Sequence, residues 1–396
     1  MDVELSKRVQ NIKPSPTLTV TARAAALKAA GKDIIGLGAG EPDFDTPEHI
    51  KQAAIRAIRA GFTKYTAVDG TAELKRAVIN KFARDNGLTY APHQILVSAG
   101  GKQSFYNLAQ ALINPGDEVI ICAPYWVSYP DMVLLAEGVP VTLWAGIEQG
   151  FKITVQQLKA AITARTRLLV LNAPSNPTGV MYSTDELGAL GGVLRRHPQV
   201  MIVSDDIYEH ILLGNEPFCN ILNACPDLYD RTIVINGVSK SYSMTGWRIG
   251  YAGGPPKLIA AMKNIQSQST SNPASISQVA AQEALEGDQS FMQGWVKEFK
   301  ERHDVVLAEL QQIKGIQCLP SQGAFYSFPK MQDIINDLDG VNNDVELAEY
   351  ILINTGVALV PGSAFGAQGY MRLSFATSMD NLREALRRMQ KLLGRN

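Results

Sequence analysis

The chain has little cysteine, few histidines and no excess of charge of either sign. Its four cysteines, Cys122, Cys219, Cys225 and Cys318, form no CxxC pair and flank no histidine cluster. That excludes a disulfide-framed fold and a zinc ribbon, and it predicts reduced, mostly buried thiols in a cytoplasmic protein. The histidines, His49, His93, His197, His210 and His303, are scattered without ligand spacing, so no metal site is expected. Thirty-seven basic residues stand against 38 acidic ones, a net charge of −1, which gives no broad attraction to nucleic acid or to a membrane surface. No apolar run approaches the ~18–20 residues of a membrane-spanning helix. The first ten residues alternate charge with apolar side chains and lack the apolar core of a signal peptide. Internal repeats, low-complexity tracts and long linkers are missing as well.

What is present is the composition of a folded enzyme. Apolar residues make up 46% and charged residues 19% of 396 positions, enough for two or three units at roughly 100–200 residues each. From residue 95 the pattern alternates strand and helix: 95–98 then 101–113, 118–122 then 128–137, 167–171 then 184–196, and a strand at 200–203. Such alternation predicts right-handed βαβ units and a largely parallel sheet with helices on both faces. Ligands in these folds sit beyond the carboxyl ends of the strands. Ahead of this core, a polar arm and a short helix reach residue 30, and 34–44 runs from a strand into a glycine-rich turn. In that turn Gly40, stiffened by Pro42, leaves bare backbone open to a ligand. Thr46-Pro47-Glu48 predicts a helix start with Thr46 as cap and Pro47 in the first helical position. A loop at 64–70 carries Tyr65 and precedes a helix over 71–86. Toward the carboxyl end helices are expected at 256–266, 275–286, 291–313 and 344–354, and strands at 321–328, 357–360 and 371–376.

Chemistry-bearing residues cluster where the sheet rule puts them. The stretch 234–251 sets Lys240 in a small-residue break between two apolar runs, with Arg248 eight residues on. A lysine beside a semi-buried strand end can become a nucleophile toward a carbonyl. An aldehyde on a phosphorylated ring, pyridoxal phosphate, suits that lysine and arginine together; an exposed turn with a surface cation is the other reading of the same residues. Gly100 and Gly101 open a helix and can cradle a phosphate, without forming a GxxxxGK[ST] or GxGxxG loop. Trp126 lies at a strand end, as a ring-stacking indole or an ordinary core tryptophan. Asn176 sits in a loop stiffened by Pro174 and Pro177. Asp205 ends a strand with Tyr208 three residues later, and a carboxylate there needs a cation.

Taken together, Gly-Glu-Pro-Asp-Phe at 40–44, Lys64-Tyr65, Gly-Gly-Lys at 100–102, Pro-Tyr-Trp at 124–126, Ser-Asn-Pro-Thr-Gly at 175–179, Asp205 with Tyr208, and Ser239-Lys240 through Arg248 resemble the class I aminotransferases. The similarity spans essentially the whole chain, with the motifs in family order. It comes nearest to the bacterial aspartate aminotransferase group that includes the aspartate/prephenate aminotransferases. The resemblance implies an α/β fold of the pyridoxal-phosphate transferase fold type I, with a large domain at 46–287 whose mostly parallel sheet is sandwiched by helices. A smaller α+β domain would come from 1–45 and 288–396. It further implies pyridoxal 5'-phosphate as cofactor, with Lys240 as Schiff-base lysine, Asp205 on the pyridine nitrogen, and Tyr208 and Asn176 on the ring's phenolic oxygen. Trp126 would stack on the ring. Gly100, Gly101, Lys102 and Arg248 would bind the phosphate, joined by Tyr65 from the second subunit of a homodimer with shared sites.

On the substrate side, the resemblance implies that Arg372 binds the α-carboxylate, with Gly40, Trp126 and Asn176 beside the substrate. Dicarboxylate specialists of the family read the distal carboxylate with an arginine from the other subunit, and 264–273 offers none. Lys13 is the candidate replacement, with Thr17. The expected reaction moves the amino group of aspartate or glutamate to 2-oxoglutarate or another 2-oxo acid such as prephenate. The alternatives are an aminotransferase for neutral or aromatic amino acids, a β-lyase on the same scaffold, and a transcription regulator with an aminotransferase-like sensor domain. The last requires a helix-turn-helix domain before the family pattern, which begins within the first dozen or so residues.

Overall fold

The computed structural model describes residues 3–12, 14 and 16–394. Its centre is a seven-stranded sheet in the order Ile95–Ser98, Gly250–Gly253, Thr232–Gly237, Met201–Asp205, Thr166–Asn172, Glu118–Ala123, Val139–Trp144. Six strands run parallel to one another. Gly250–Gly253 is antiparallel to both its neighbours, so the sheet is largely parallel, as the alternation pattern predicted, with one strand reversed.

Inner strands built on continuous apolar runs bury both faces, and the cores show it. Leu169 and Leu171 face one hydrophobic cluster while Leu168 and Val170 face the other. The first face is covered by Glu48–Arg59, Ala72–Asn86 and Ser275–Glu286, the second by Gly101–Leu112 and Pro256–Ser267. The strand Val139–Trp144 escapes the sequence reading because it lies at the edge, half exposed and carrying Pro140. The helix Val155–Ala161 was also not anticipated.

Another core gathers the helices Phe291–Gln311, Asp344–Thr355 and Met379–Leu393 around short strands. Ile35–Gly36 pairs in parallel with Val357–Ala358. Met371–Ser374 lies antiparallel to Val360–Pro361 and Tyr326–Ser327. Only these last two residues of the expected 321–328 strand are extended in a ladder. The final helix was overlooked, although Leu382, Ala385, Leu386, Met389 and Leu393 form a buried stripe at helical spacing.

Thr46 does not cap its helix. The cap residue is Pro47, without a side-chain bond, while the Thr46 hydroxyl donates to the Ser243 carbonyl (2.6 Å) and accepts from Trp247 Nε1 (3.1 Å). A tertiary bond to the loop of Lys240 has taken the hydroxyl that local sequence assigned to the helix end.

Candidate functional site

Beyond the carboxyl ends of the parallel strands lies a cavity of about 280 Å³. Its walls include Gly40, Gly101, Lys102, Trp126, Asn176, Asp205, Tyr208, Lys240, Arg248 and Arg372, so residues from far-apart stretches converge on one space. Arg248 reaches it because the antiparallel strand Gly250–Gly253 begins at the edge where its neighbours end. Thr17 also lines the cavity.

At one end, Gly100 (φ +90°) turns the chain into the helix Gly101–Leu112, whose first-turn N–H groups have no partner within the helix. A Cβ at Gly100 would collide with the Arg248 guanidinium, and one at Gly250 with the Gly100–Gly101 backbone. Glycine is required at both positions by close approach. Arg248, itself left-handed at φ +58°, donates to the carbonyls of Thr245 (2.9 Å) and Ala99 (3.2 Å). Lys102 Nζ lies 5.1 Å above the Trp126 ring, and burial together with nearby Arg248 lowers its pKa.

In the middle, Lys240 Nζ donates to the Gly40 carbonyl at 2.5 Å. Burial brings its pKa down to about 8, with Arg248 and Arg372 pushing the same way. The Asp205 carboxylate accepts from the Tyr129 hydroxyl (2.5 Å) and the Ile207 N–H (3.4 Å), yet burial pushes its pKa up to about 6. Tyr208 and Tyr326 share a hydroxyl–hydroxyl hydrogen bond of 2.8 Å.

At the far end, Arg372 is 2% exposed, which excludes an outward-facing surface arginine. It donates to Asn176 Oδ1 (2.8 Å) and the Gly38 carbonyl (2.7 Å) and lies between the rings of Tyr326 and Phe365. Its Nε is buried without a partner. Among the described residues, Lys102, Lys240, Arg248 and Arg372 meet only carbonyls, an amide oxygen and aromatic faces, and none is in a salt bridge. Among the described residues, the pocket therefore holds cations without an ion pair at both ends and, between them, a carboxylate with no salt bridge.

Of the expected residues that the structure describes, Gly100 and Tyr65 are not among those lining the cavity. Tyr65 is 91% exposed. Lys13 lies outside the described residues. Three contributors were missed: Tyr129, Asn172, whose amide donates to the Asp205 carbonyl (2.9 Å), and Tyr326. Tyr129 had no local signal, whereas Asn172 directly follows the predicted strand 167–171 and could have been singled out on that ground. His210 is less isolated than its sequence position suggested, since its Nε2 lies 3.3 Å from the carboxylates of Asp85 and Glu209, outside the cavity.

A family model described as aminotransferase class I and II matches residues 32–389. An aspartate/prephenate aminotransferase from Nitrosomonas europaea is 63% identical over 396 residues, covering 99% of this chain and 100% of the relative. One from Cereibacter sphaeroides is 55% identical over 390 residues, 98% of each. The crystal structure of an aspartate aminotransferase from Rhizobium meliloti superposes with a TM-score of 0.96 at 47% identity, over 100% of both chains. That of the Thermus thermophilus aspartate aminotransferase with maleate gives 0.92 at 44%, over 99% of this chain and 100% of the other.

Proposed function

Because the chain belongs to the class I and II aminotransferases, we propose that its pocket holds pyridoxal 5'-phosphate at Lys240. On this reading it moves the amino group of aspartate or glutamate to 2-oxoglutarate or another 2-oxo acid such as prephenate. The observation that carries the proposal is the set of missing partners. A protonated ring nitrogen answers Asp205, a phosphate answers Lys102, Arg248 and the glycine-opened helix, and a substrate carboxylate answers Arg372. The names of the two curated relatives and the maleate complex, a dicarboxylate bound to a neighbour, favour an acidic donor.

When bound, the cofactor supplies an electron sink for the pair left as the substrate Cα–H bond breaks. The chain's residues do the rest. Gly100, Gly101, Lys102 and Arg248 hold the phosphate, Trp126 covers the ring, and Asp205 keeps the ring nitrogen protonated. Asn176 and Tyr208 serve the ring oxygen. Lys240, with its amine pKa brought down to about 8, has a neutral fraction at physiological pH that can take the Cα proton and return it to a neighbouring carbon. Arg372 grips the α-carboxylate as a planar fork, and Gly40 lies beside it. Residues 46–287 form the cofactor domain, and 1–45 with 288–396 the smaller one that brings Gly40 and Arg372 to it. Spectral titration of the purified holoenzyme with a panel of amino acids tests this reading. Aspartate and glutamate should convert the visible cofactor band to the amine form; conversion by neutral amino acids alone would overturn the acidic donor.

The cofactor-free protein should reveal Asp205 through its pH dependence. A carboxyl raised from 3.8 to about 6 by burial holds its proton in the folded state where the unfolded chain has released it, so stability falls as pH rises through that window. Asp205→Asn removes the fall, a difference of roughly 2–3 kcal/mol at about 1.4 kcal/mol per unit. Chemical denaturation of both proteins between about pH 4 and 7 measures it, and parallel curves would contradict the assignment.

The enzyme is further proposed to be a cytoplasmic homodimer with shared sites. Among the described residues no helix is long and apolar enough to cross a membrane, and the four cysteines are free thiols. The loop of Tyr65 is pinned by Gln266 to the Val68 carbonyl (2.7 Å) and by Gln278 to the Thr66 hydroxyl (2.9 Å), while the tyrosine itself projects outward. An outward tyrosine on a pinned loop supports the reading that it reaches a second subunit's phosphate. Tyr65→Phe should weaken cofactor retention by roughly tenfold to a hundredfold, the effect of losing one hydrogen bond to a charged group. Equilibrium dialysis reads the change, and an active monomer in sedimentation would contradict the shared site.

A further inference from the structure

We propose that Glu209 is a positioning residue that, held by Lys81, fixes the turn carrying Asp205 and Tyr208 to the strand leading to Lys240. The inference rests on the pocket reading given above. Glu209 directly follows Tyr208, but its side chain turns inward and is 3% exposed; neither it nor Lys81 lines the cavity.

Its carboxylate accepts from three donors on two other elements. Lys81 Nζ and Asn86 Nδ2 (2.6 Å) come from the helix Ala72–Asn86, and Asn236 Nδ2 (2.8 Å) comes from the strand Thr232–Gly237. Lys81 is 1% exposed and also donates to Asn86 Oδ1 (2.7 Å). The Asn236 side-chain Oδ1 in turn accepts from the Gly237 N–H (2.7 Å), and Lys240 lies four residues after Asn236. One carboxylate thus joins three segments, of which one carries Tyr208 and another leads to Lys240. Asp85, Glu209 and His210 are spaced closely enough to ligate a metal ion, but the cation touching Glu209 is the chain's own ammonium. A buried ion pair adds little net stability, because desolvation offsets the attraction. What these directional bonds supply is register. An apolar contact would let the turn slide against the strand, and small misplacements of catalytic groups are costly.

The test compares three forms of the holoenzyme. Asn236→Ala removes the bond to the Lys240 strand and leaves no charge unpaired. Lys81→Met with Glu209→Leu replaces the ion pair by apolar groups of similar size. In both, kcat with aspartate should fall by roughly tenfold to a hundredfold while KM changes by less than about threefold, as expected of displaced catalytic groups with substrate binding intact. The pH midpoint of the visible cofactor band should also move upward, since Tyr208 no longer holds its place beside the ring oxygen whose charge governs that titration. A merely structural role would leave the midpoint unmoved. If the double variant does not fold, Asn236→Ala decides alone. Wild-type kcat, or an unmoved midpoint, in Asn236→Ala overturns the proposal. A wild-type protein with no visible band refutes the cofactor reading itself, before any variant is made.

Discussion

Lys240→Ala lowers the rate of aspartate transamination by on the order of 10⁴-fold, the upper end of what one positioned proton-transfer group supplies. The loss is large because the same amine is both the anchor of the cofactor and the base at the substrate Cα. The fold should survive. Lys240 Nζ makes one hydrogen bond, to the Gly40 carbonyl, and burial already disfavours its charge. Truncation therefore relieves a desolvated cation and leaves only a carbonyl to find water in an open pocket. Circular dichroism should match wild type while steady-state assays find almost no turnover. A variant that transaminates within about tenfold of wild type would remove Lys240 from the chemistry, since a proton-transfer role alone contributes at least 10²-fold.

Arg372→Ala and Lys13→Ala should separate the two carboxylates of the substrate. Arg372 is buried, and its guanidinium is already oriented by Asn176, the Gly38 carbonyl and two aromatic faces, with Nε left without a partner. A fork oriented before substrate arrives loses little freedom on binding, which suits it to the α-carboxylate shared by every amino acid. Truncating one member of a desolvated charge pair costs roughly 2–5 kcal/mol, or between about thirtyfold and a few thousandfold in kcat/KM. Arg372→Ala should show that loss with aspartate and alanine alike. Lys13→Ala should penalise aspartate and spare alanine, because only the acidic side chain needs the second cation. Measuring kcat/KM for both donors in both variants makes the contrast internal. Equal effects of Lys13→Ala on the two donors would mean that another group reads the distal carboxylate, with Thr17 at the cavity wall and the second subunit's 264–273 segment the next to examine.

The parts of the molecule legible from sequence were those governed by local pattern. Strands such as Thr232–Gly237 and helices such as Ser275–Glu286 announce themselves by β-branched runs and by helical spacing. The glycines before Lys102 and the Ser-Lys turn were readable because their chemistry restricts the residue types allowed there. What sequence hid was set by distant contacts. Thr46 looks like a helix cap and bonds instead to Ser243 and Trp247 across the pocket loop. Tyr129 lies in the helix Ser128–Leu135 and reaches Asp205 only because the strand before that helix, Glu118–Ala123, ends on the same side of the sheet as Met201–Asp205. Glu209 carries no chemical signal of its own in the sequence, and only folding shows it facing Lys81 in the interior. The antiparallel direction of Gly250–Gly253 likewise has no local signature, yet it delivers Arg248 to the cavity.

The central claim is that Lys240 carries the cofactor and gives it up to an acidic amino acid. Borohydride reduction of the purified holoenzyme, followed by digestion and peptide mass analysis, tests it most directly. The account predicts a phosphopyridoxyl group on the peptide containing Lys240 and on no other lysine. That label should be lost when aspartate is added before the reductant. A label on a different lysine, or one on Lys240 that aspartate leaves undiminished, would contradict it.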